Sequence, residues 1–277
     1  MNEQYKGYIE IELNGDEINE LYQEGTISNY DFYENEYILV THNGKLIDTY
    51  CYQSGALRKV HYTTVSNDYL GTIKPRNTEQ NLVLDMLQDK STKVKLVKGV
   101  YGSGKDYLML SQALSLVQKG KFDKIIFIRP NITVADLPDI GALPGTADEK
   151  LSWTLGPLLD KVGGQEGVGM LIHSGQLEVV PLLFIRGRSF ENSIIYVTEG
   201  QNMTTEIVKL VIGRIGEGSE LWINADNHQT DKKVFEKDNG VKKMVEKLVG
   251  HPMFGYVYMP ITERSAVANL ANLLDEE

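Results

Sequence analysis

The stretch that most constrains the fold is residues 99–106, which read Gly-Val-Tyr-Gly-Ser-Gly-Lys-Asp. A glycine, four residues and then Gly-Lys is the spacing of a phosphate-binding loop (P-loop), which normally ends in Ser or Thr. An apolar run at residues 94–97 precedes the loop, and a helix-like apolar pattern follows it. The sequence therefore predicts a strand, a loop and a helix whose amino end faces phosphate. The loop residues predicted to contact it are Tyr101, Gly102, Ser103, Gly104, Lys105 and Asp106.

Two positions depart from the usual pattern. Asp106 stands where a hydroxyl normally holds magnesium. The apolar run at residues 194–197 is followed by Thr198 and Glu199, whereas such a strand normally ends in Asp-Glu. In the usual arrangement the Asp orders magnesium and the Glu polarises the attacking water. Glu199 is therefore the predicted base, and the metal positions are altered.

These departures allow two interpretations. In the first, the two roles are exchanged: Asp106 and Thr198 face each other across Mg²⁺ and still supply one carboxylate and one hydroxyl, which this ion tolerates. In the second, both positions have lost their role, and nucleotide binding is weak or absent. A carboxylate beside phosphates is repulsive without the metal.

Apolar runs separated by helical patterns indicate an α/β protein from residue 74 to 277, with a parallel sheet and helices on both faces. The expected strands are residues 94–97, 125–128, 194–197, 220–224 and 253–259. Residues 1–73 predict a small β-rich module with one helix near residues 16–22 and a hairpin at Asn43-Gly44. Residues 74–77 mark the boundary. The turn at residues 222–229 could deliver Asp226 and Gln229 to the carboxyl ends of the strands, although a plain polar turn is the default interpretation.

Composition limits the classes of function. The net charge of −10 argues against a broadly basic nucleic-acid coat, but a local basic groove needs only a few cations. No apolar run reaches the roughly 18 residues of a membrane span, and the polar start of the chain is not a signal peptide. The single cysteine, Cys51, fits a cytoplasmic protein and a half-buried structural thiol. The five histidines match no metal-binding spacing.

Together the motifs resemble the PhoH-like family of P-loop ATPases, which is related to superfamily 1 helicases and has a RecA-like fold. The resemblance covers roughly residues 74–270 and rests on the order and spacing of several segments. They are residues 75–80, the P-loop, and residues 128–130, 139–151, 177–188, 199–202, 225–229 and 262–265. Residues 5–72 look like the segment before the ATPase core in longer members that carry a PIN nuclease. That nuclease has no counterpart before residue 74, so its RNase activity is not carried over.

The resemblance implies roles for individual residues. Gln80 matches a glutamine that reads adenine through its amide. Glu199 would polarise water, Gln229 would sense the γ-phosphate, and Arg264 would be an arginine finger that reaches a neighbouring subunit. Basic motif positions that could meet nucleotide or RNA phosphates, or could form surface salt bridges, are Arg129, Arg186 and Arg188. The family pattern has Ser or Thr at position 106, Asp at 198 and Ala at 200, where this chain has Asp, Thr and Gly.

The leading hypothesis is a cytoplasmic ATPase that uses ATP and Mg²⁺ and acts on RNA or single-stranded nucleic acid. The resemblance also implies a homo-oligomer, with a hexameric ring as a candidate arrangement, and no membrane partner. An alternative is a binding or assembly protein with a degenerate, non-hydrolysing site. A small-molecule kinase is a third interpretation, less favoured because residues 225–229 and 263–265 fit a helicase-like core.

Overall fold

The computed structural model describes residues 5–130, 156–226, 235 and 237–263, apart from the side chain of Pro157, and the structural statements below concern that part of the chain. The amino-terminal module is a four-stranded sheet with one helix. Its sheet has the spatial order β1-β2-β3-β4, and β1 and β2 run parallel. The elements are β1 (Tyr8–Glu12), α1 (Gly15–Glu24), β2 (Tyr37–His42), β3 (Lys45–Gln53), β4 (Ala56–Lys59) and a short antiparallel pair, β5 (Ser66–Asn67) and β6 (Gly71–Thr72).

Local sequence explains both the helix and the hairpin of this module. Asn14 caps α1, and Glu17 returns a hydrogen bond to the Asn14 backbone, which makes a capping box. Asn43 and Gly44 both have positive φ, 51° and 69°, as a tight turn between antiparallel strands requires. The predicted hairpin is therefore confirmed.

The second sheet contains six described strands, all parallel. They are β7 (Val94–Gly99), β8 (Lys124–Ile128), β9 (Leu177–Val179), β10 (Ser193–Val197), β11 (Glu220–Asp226) and β12 (Phe254–Met259). Their spatial order is β12-β7-β11-β10-β8-β9, so β11 lies between the strand that enters the P-loop and the strand that ends before Thr198. The predicted α/β class is confirmed, and β9 is an edge strand that the sequence analysis did not identify.

Helices cover both faces of this sheet, as predicted. On one face the apolar cluster includes α2 (Thr78–Gln88), α3 (Lys105–Gln118), α4 (Gly156–Leu159) and α5 (Gly164–His173). On the other face it includes α6 (Thr205–Ile212) and α7 (Gly240–Leu248). Short 3-10 turns lie at Leu182–Ile185 and Gly200–Asn202. Side chains such as Ile126, Ile195 and Leu221 are fully buried, because strands covered on both faces have no polar side to offer.

The two sheets share apolar and polar contacts. Tyr37, Leu39 and Cys51 belong to the same buried cluster as α2 and α3. The Asp85 carboxylate, on α2, accepts hydrogen bonds from the Arg58 guanidinium at 2.7 and 2.6 Å and from the Tyr37 hydroxyl at 2.9 Å. Within the described ranges, every helix is too short or too polar to span a bilayer.

Candidate nucleotide-binding site

A cavity of about 1080 Å³ lies where β7, β10 and β11 end. Its wall includes residues of the P-loop and the first turn of α3, together with Glu199 after β10 and Asp226 at the end of β11. Because all the strands run parallel, their carboxyl ends meet at this edge of the sheet. The cavity therefore brings together several of the residues that the sequence predicted for one site.

The P-loop backbone depends on its glycines. Gly102 and Gly104 have φ values of 77° and 89°, in the left-handed region that favours glycine. A Cβ at Gly99 would lie 2.8 Å from the carbonyl oxygen of Met259, so this position has no room for a side chain. Ser103 is buried, and its hydroxyl has no hydrogen-bond partner among the described residues, whereas Tyr101 is 46% exposed at the cavity wall.

Lys105 is the buried cation of the site. Its ammonium donates hydrogen bonds to the carbonyl oxygens of Gly99 at 3.2 Å and Val100 at 3.1 Å. It also lies 2.9 Å from Asp226 Oδ2. The contact follows from sheet register, since Asp226 pairs with Gly99 across β11 and β7. Lys105 is therefore held at the amino end of α3, where a phosphate would also meet the helix dipole.

Asp106 lines the cavity from the first turn of α3. Its Oδ1 accepts a hydrogen bond of 2.7 Å from the Tyr196 hydroxyl and another from the Asn224 side-chain amide. Both donors are buried, and they lie on the neighbouring strands β10 and β11. The carboxylate that replaces the usual hydroxyl is thus tied directly to the sheet.

Thr198 is placed differently from its predicted partner Asp106. It is 1% exposed, its backbone N–H donates to the carbonyl oxygen of Ile128 at 3.1 Å, and it is not among the described residues that line the cavity. Of the two positions in the exchange interpretation, only Asp106 reaches the cavity wall. The role of Thr198 as a metal ligand stays a prediction.

Glu199 has a backbone conformation that is unusual for a non-glycine residue, with φ at 55° and ψ at 39°. Such conformations are costly and persist only where the surrounding structure enforces them, and they are found most often at functional sites. Its Oε2 accepts a hydrogen bond of 2.7 Å from the Gln201 amide, and the same amide accepts one of 2.8 Å from the Asp226 backbone N–H. Gln201 therefore joins the predicted base to the end of β11.

Gln80 also lines the cavity, but its amide is engaged inside the protein. Its Oε1 accepts from the Arg76 N–H at 2.8 Å, and its Nε2 donates to the Ser103 carbonyl at 3.1 Å. Each amide atom can make one further hydrogen bond. In this structure Gln80 fastens the P-loop to the start of α2, and its role in reading adenine stays a prediction.

The three basic candidates are not among the described residues that line the cavity. Arg129 directly follows β8, and Arg186 is exposed after the turn at Leu182–Ile185. Arg188 forms an ion pair of 2.6 Å with Glu178 and lies over the Phe190 ring, which matches the salt-bridge alternative raised from the sequence. Gln229, Arg264 and residues 139–151 lie outside the described residues.

Three residues of the site were not predicted from the sequence: Tyr196, Asn224 and Gln201. A signal for Tyr196 was available, since a tyrosine in an otherwise aliphatic buried strand needs a partner for its hydroxyl. Asn224 in an apolar strand likewise indicates a polar partner, because a buried amide must be hydrogen-bonded. Neither signal names the partner, which lies 90 or more positions away in the chain.

The residues present fit a nucleotide phosphate with a divalent cation. Lys105, the glycine-rich loop and the amino end of α3 suit phosphate oxygens. Mg²⁺ takes oxygen ligands and usually relies on one or two carboxylates plus substrate phosphates and water. Asp106, Glu199 and Asp226 supply carboxylates at the cavity. No cluster of three or more His, Cys, Asp or Glu side chains forms a self-sufficient metal site within the described residues.

A parallel sheet with a P-loop between β7 and α3 defines a P-loop NTPase. Residues 72–269 match the PhoH-like protein family, and the chain belongs to that family. Membership supports nucleotide binding by the cavity.

Two similar proteins match nearly the whole chain, and a third matches about two thirds of it. Protein PhoH2 of Mycolicibacterium smegmatis is 31% identical over 99% of this chain, and Protein PhoH2 of Bacillus subtilis is 28% identical over 98%. A PhoH-like protein of Bacillus subtilis is 30% identical over 65% of this chain and 57% of its own length. This chain covers 63% and 64% of the length of those two PhoH2 proteins.

Proposed function

We propose that this chain binds ATP with Mg²⁺ and hydrolyses it. The observation that carries the proposal is that Lys105, Asp106 and Glu199 line one cavity at the carboxyl ends of parallel strands. Lys105 and the amino end of α3 would bind the outer phosphates. Asp106 would hold Mg²⁺, which when bound neutralises charge on the phosphates.

Glu199 is the proposed base that orients and polarises the attacking water. It follows β10, and Gln201 restrains its Oε2, while its Oε1 accepts no hydrogen bond from a described residue. Gln229 as γ-phosphate sensor and Arg264 as arginine finger complete the proposal from the family pattern. Thr198 remains the candidate second metal position, although its burial favours Asp106.

We also propose that hydrolysis drives work on RNA or single-stranded nucleic acid, in the cytoplasm and within a homo-oligomer. The family resemblance supports this proposal, and the net charge of −10 limits it to a local contact surface. Arg129 and Arg186 are candidates for that surface. A hexameric ring is the proposed arrangement because it would let Arg264 reach a neighbouring site.

Phosphate release by the pure protein with ATP and Mg²⁺, with and without RNA, tests the proposal. We expect Lys105→Ala to weaken ATP binding by about tenfold or more, since hydrogen bonds to charged groups are strong. We expect Glu199→Gln to keep binding while release falls by about 100-fold or more. Lys124→Ala is the matched control, because Lys124 pairs with Glu178 away from the cavity.

A non-hydrolysing binding protein is the second candidate, and the changes at positions 106 and 198 favour it. Calorimetry separates the two candidates. Nucleotide binding without release above the Glu199→Gln level would establish the binding protein, whereas no binding at all would overturn both.

A further inference from the structure

Asp106 sits in an asymmetric set of hydrogen bonds. The Tyr196 hydroxyl and the Asn224 amide both donate to the same oxygen, Oδ1, and the Asn224 amide lies 3.3 Å from the Tyr196 hydroxyl oxygen. No hydrogen bond to Oδ2 occurs within the described part of the chain, and Asp106 lines the cavity. One side of the carboxylate is therefore fastened to the sheet, and the other is left for the cavity.

The sheet makes this arrangement rigid. Tyr196 pairs with Trp222 across β10 and β11, so Asn224 lies two residues further along on the same face. The Tyr196 ring is fully buried and stacks on Phe127, with ring centroids 5.7 Å apart. The Tyr196 hydroxyl cannot follow Asp106 if the carboxylate turns, since its ring is packed into the core.

The chemistry of the donors fixes their direction. A carboxylate oxygen accepts, so the Tyr196 hydroxyl is the donor in its contact with Asp106 Oδ1. An amide nitrogen can only donate as well. Two donors on one oxygen restrain the orientation of the carboxylate, in the same way that hydrogen bonds orient the ligands of metal sites.

We propose that Tyr196 and Asn224 are positioning residues that hold Asp106 so that its Oδ2 faces a divalent cation on the nucleotide phosphates. This inference rests on the proposed function and adds two residues, Tyr196 and Asn224, to which the proposed function assigns no role. It explains how this chain accepts a carboxylate where a hydroxyl is usual: the carboxylate is held toward the cation and cannot turn freely against the phosphates. The competing explanation is that the hydrogen bonds only fasten α3 to the sheet.

The test measures binding of Mn²⁺ in the presence of ADP by electron paramagnetic resonance, with ADP affinity in EDTA measured by calorimetry. The variants are Tyr196→Phe and Asn224→Leu, and we expect each to lower Mn²⁺ affinity by about tenfold. For Tyr196→Phe, ADP affinity without metal should stay within about twofold of wild type, since the Tyr196 side chain is fully buried and does not line the cavity.

Two controls separate positioning from simple stabilisation. Tyr37→Phe removes another buried hydroxyl that donates to a carboxylate, Asp85, at 2.9 Å. It should lower thermal stability as Tyr196→Phe does, but leave Mn²⁺ affinity unchanged. In an Asp106→Thr background, Tyr196→Phe should no longer change Mn²⁺ affinity, because the group it positions is gone.

Unchanged Mn²⁺ affinity in both Tyr196→Phe and Asn224→Leu, in a protein that binds ADP, would overturn this inference and leave the proposed function standing. The inference would also be overturned, with the proposed function still standing, if Tyr196→Phe weakened Mn²⁺ binding in the Asp106→Thr background as much as in the wild-type background. Absence of any ADP binding by the wild type would overturn the proposed function and this inference together.

Discussion

Lys105 Nζ lies 2.9 Å from Asp226 Oδ2, and each side chain is only 9% exposed. The two residues are 121 positions apart in the chain and meet because β7 and β11 are neighbouring strands with Gly99 opposite Asp226. A buried ammonium needs a counter-charge, and here the carboxylate supplies it. Phosphate oxygens that bind Lys105 must share this cation with Asp226.

This ion pair predicts the behaviour of Asp226→Asn. Removing the charge leaves Lys105 buried beside two carbonyl oxygens, so we expect a loss of about 2–3 kcal/mol in the free energy of unfolding. Bound ADP would supply negative charge again, and the rise in melting temperature on adding ADP should exceed that of wild type. Differential scanning fluorimetry and urea denaturation measure the two effects.

Asp160→Asn is the control for Asp226→Asn, because Asp160 lines the same cavity but is exposed. It should change neither quantity appreciably. An ADP-induced rise in Asp226→Asn that is equal to or smaller than in wild type would contradict the idea that phosphate and Asp226 compete for Lys105.

A side chain at Gly200 should cause a steric clash next to Glu199, the proposed base. A Cβ there would lie 2.5 Å from Cγ2 of Ile223 and 3.1 Å from the Asn224 carbonyl oxygen. Gly200→Ala, which introduces the residue of the family pattern, should therefore lower the free energy of unfolding by about 1–3 kcal/mol. It should also slow phosphate release, since Glu199 and Asn224 flank the clash. Urea denaturation and the release assay check both.

The control for this substitution is Gly169→Ala. Gly169 lies in α5, and a Cβ there would meet nothing within 4 Å. It should leave stability unchanged or raise it by up to about 1 kcal/mol, because alanine favours helix. A Gly200→Ala protein as stable as Gly169→Ala would show that Ile223 moves aside without cost.

Patterns along the chain predicted much of the larger sheet. The apolar runs that became β8 and β10 are unambiguous because both faces of each strand are buried, and the P-loop fixes β7 and α3. The parallel pairing of β1 with β2 was not predictable in the same way. The Asn43-Gly44 signal specifies the turn between β2 and β3, but pairing across residues 13–36 depends on how α1 packs, which is a long-range effect.

The site residues likewise differ in whether a local sequence pattern could predict them. Lys105 and Glu199 were identified because their motifs are contiguous, whereas the contact of Asp106 with Tyr196 joins two segments that no local pattern connects. The exchange of Asp106 with Thr198 was inferred from a paired departure in the sequence. In the sheet, β11 lies between β7, which leads into the P-loop and α3, and β10, which ends before Thr198. Residues of β11 therefore contribute to the site as well, as Asn224 does through its hydrogen bond to Asp106.

Asp85 predicts how strongly the two sheets depend on each other. Its buried carboxylate accepts from Arg58, from Tyr37 and from the His61 N–H at 2.8 Å. Asp85→Asn should cost about 2–3 kcal/mol in unfolding free energy, less than for a fully buried pair because Arg58 is partly open to water. Trp222 fluorescence in a Trp153→Phe background and Cys51 accessibility, one probe in each sheet, should report the same transition in urea.

Glu246→Gln is the control for Asp85→Asn. Glu246 forms an exposed pair of 3.8 Å with Lys243 in α7, and its loss should cost less than about 0.5 kcal/mol. Two separate transitions in wild type would contradict the expectation that the sheets unfold together.

Cys51 predicts a pH dependence of stability. The thiol is 1% exposed, more deeply buried than the sequence suggested, and burial raises its pKa to about 12. In the unfolded chain the thiol loses its proton near pH 8.5. The folded state therefore holds the proton longer, and this contribution to stability is present below about pH 8.5 and is lost as the pH rises toward 12.

Cys51→Ala isolates that contribution, because it removes the thiol while leaving every other titrating group in place. Between pH 8 and pH 10 the wild type should lose about 1–2 kcal/mol more unfolding free energy than the variant, measured in urea under reducing conditions. The cavity left by the substitution lowers stability equally at both values and cancels in the difference. Rapid alkylation of native wild type by iodoacetamide at pH 8, or equal pH dependence in the two proteins, would contradict the buried, protonated thiol.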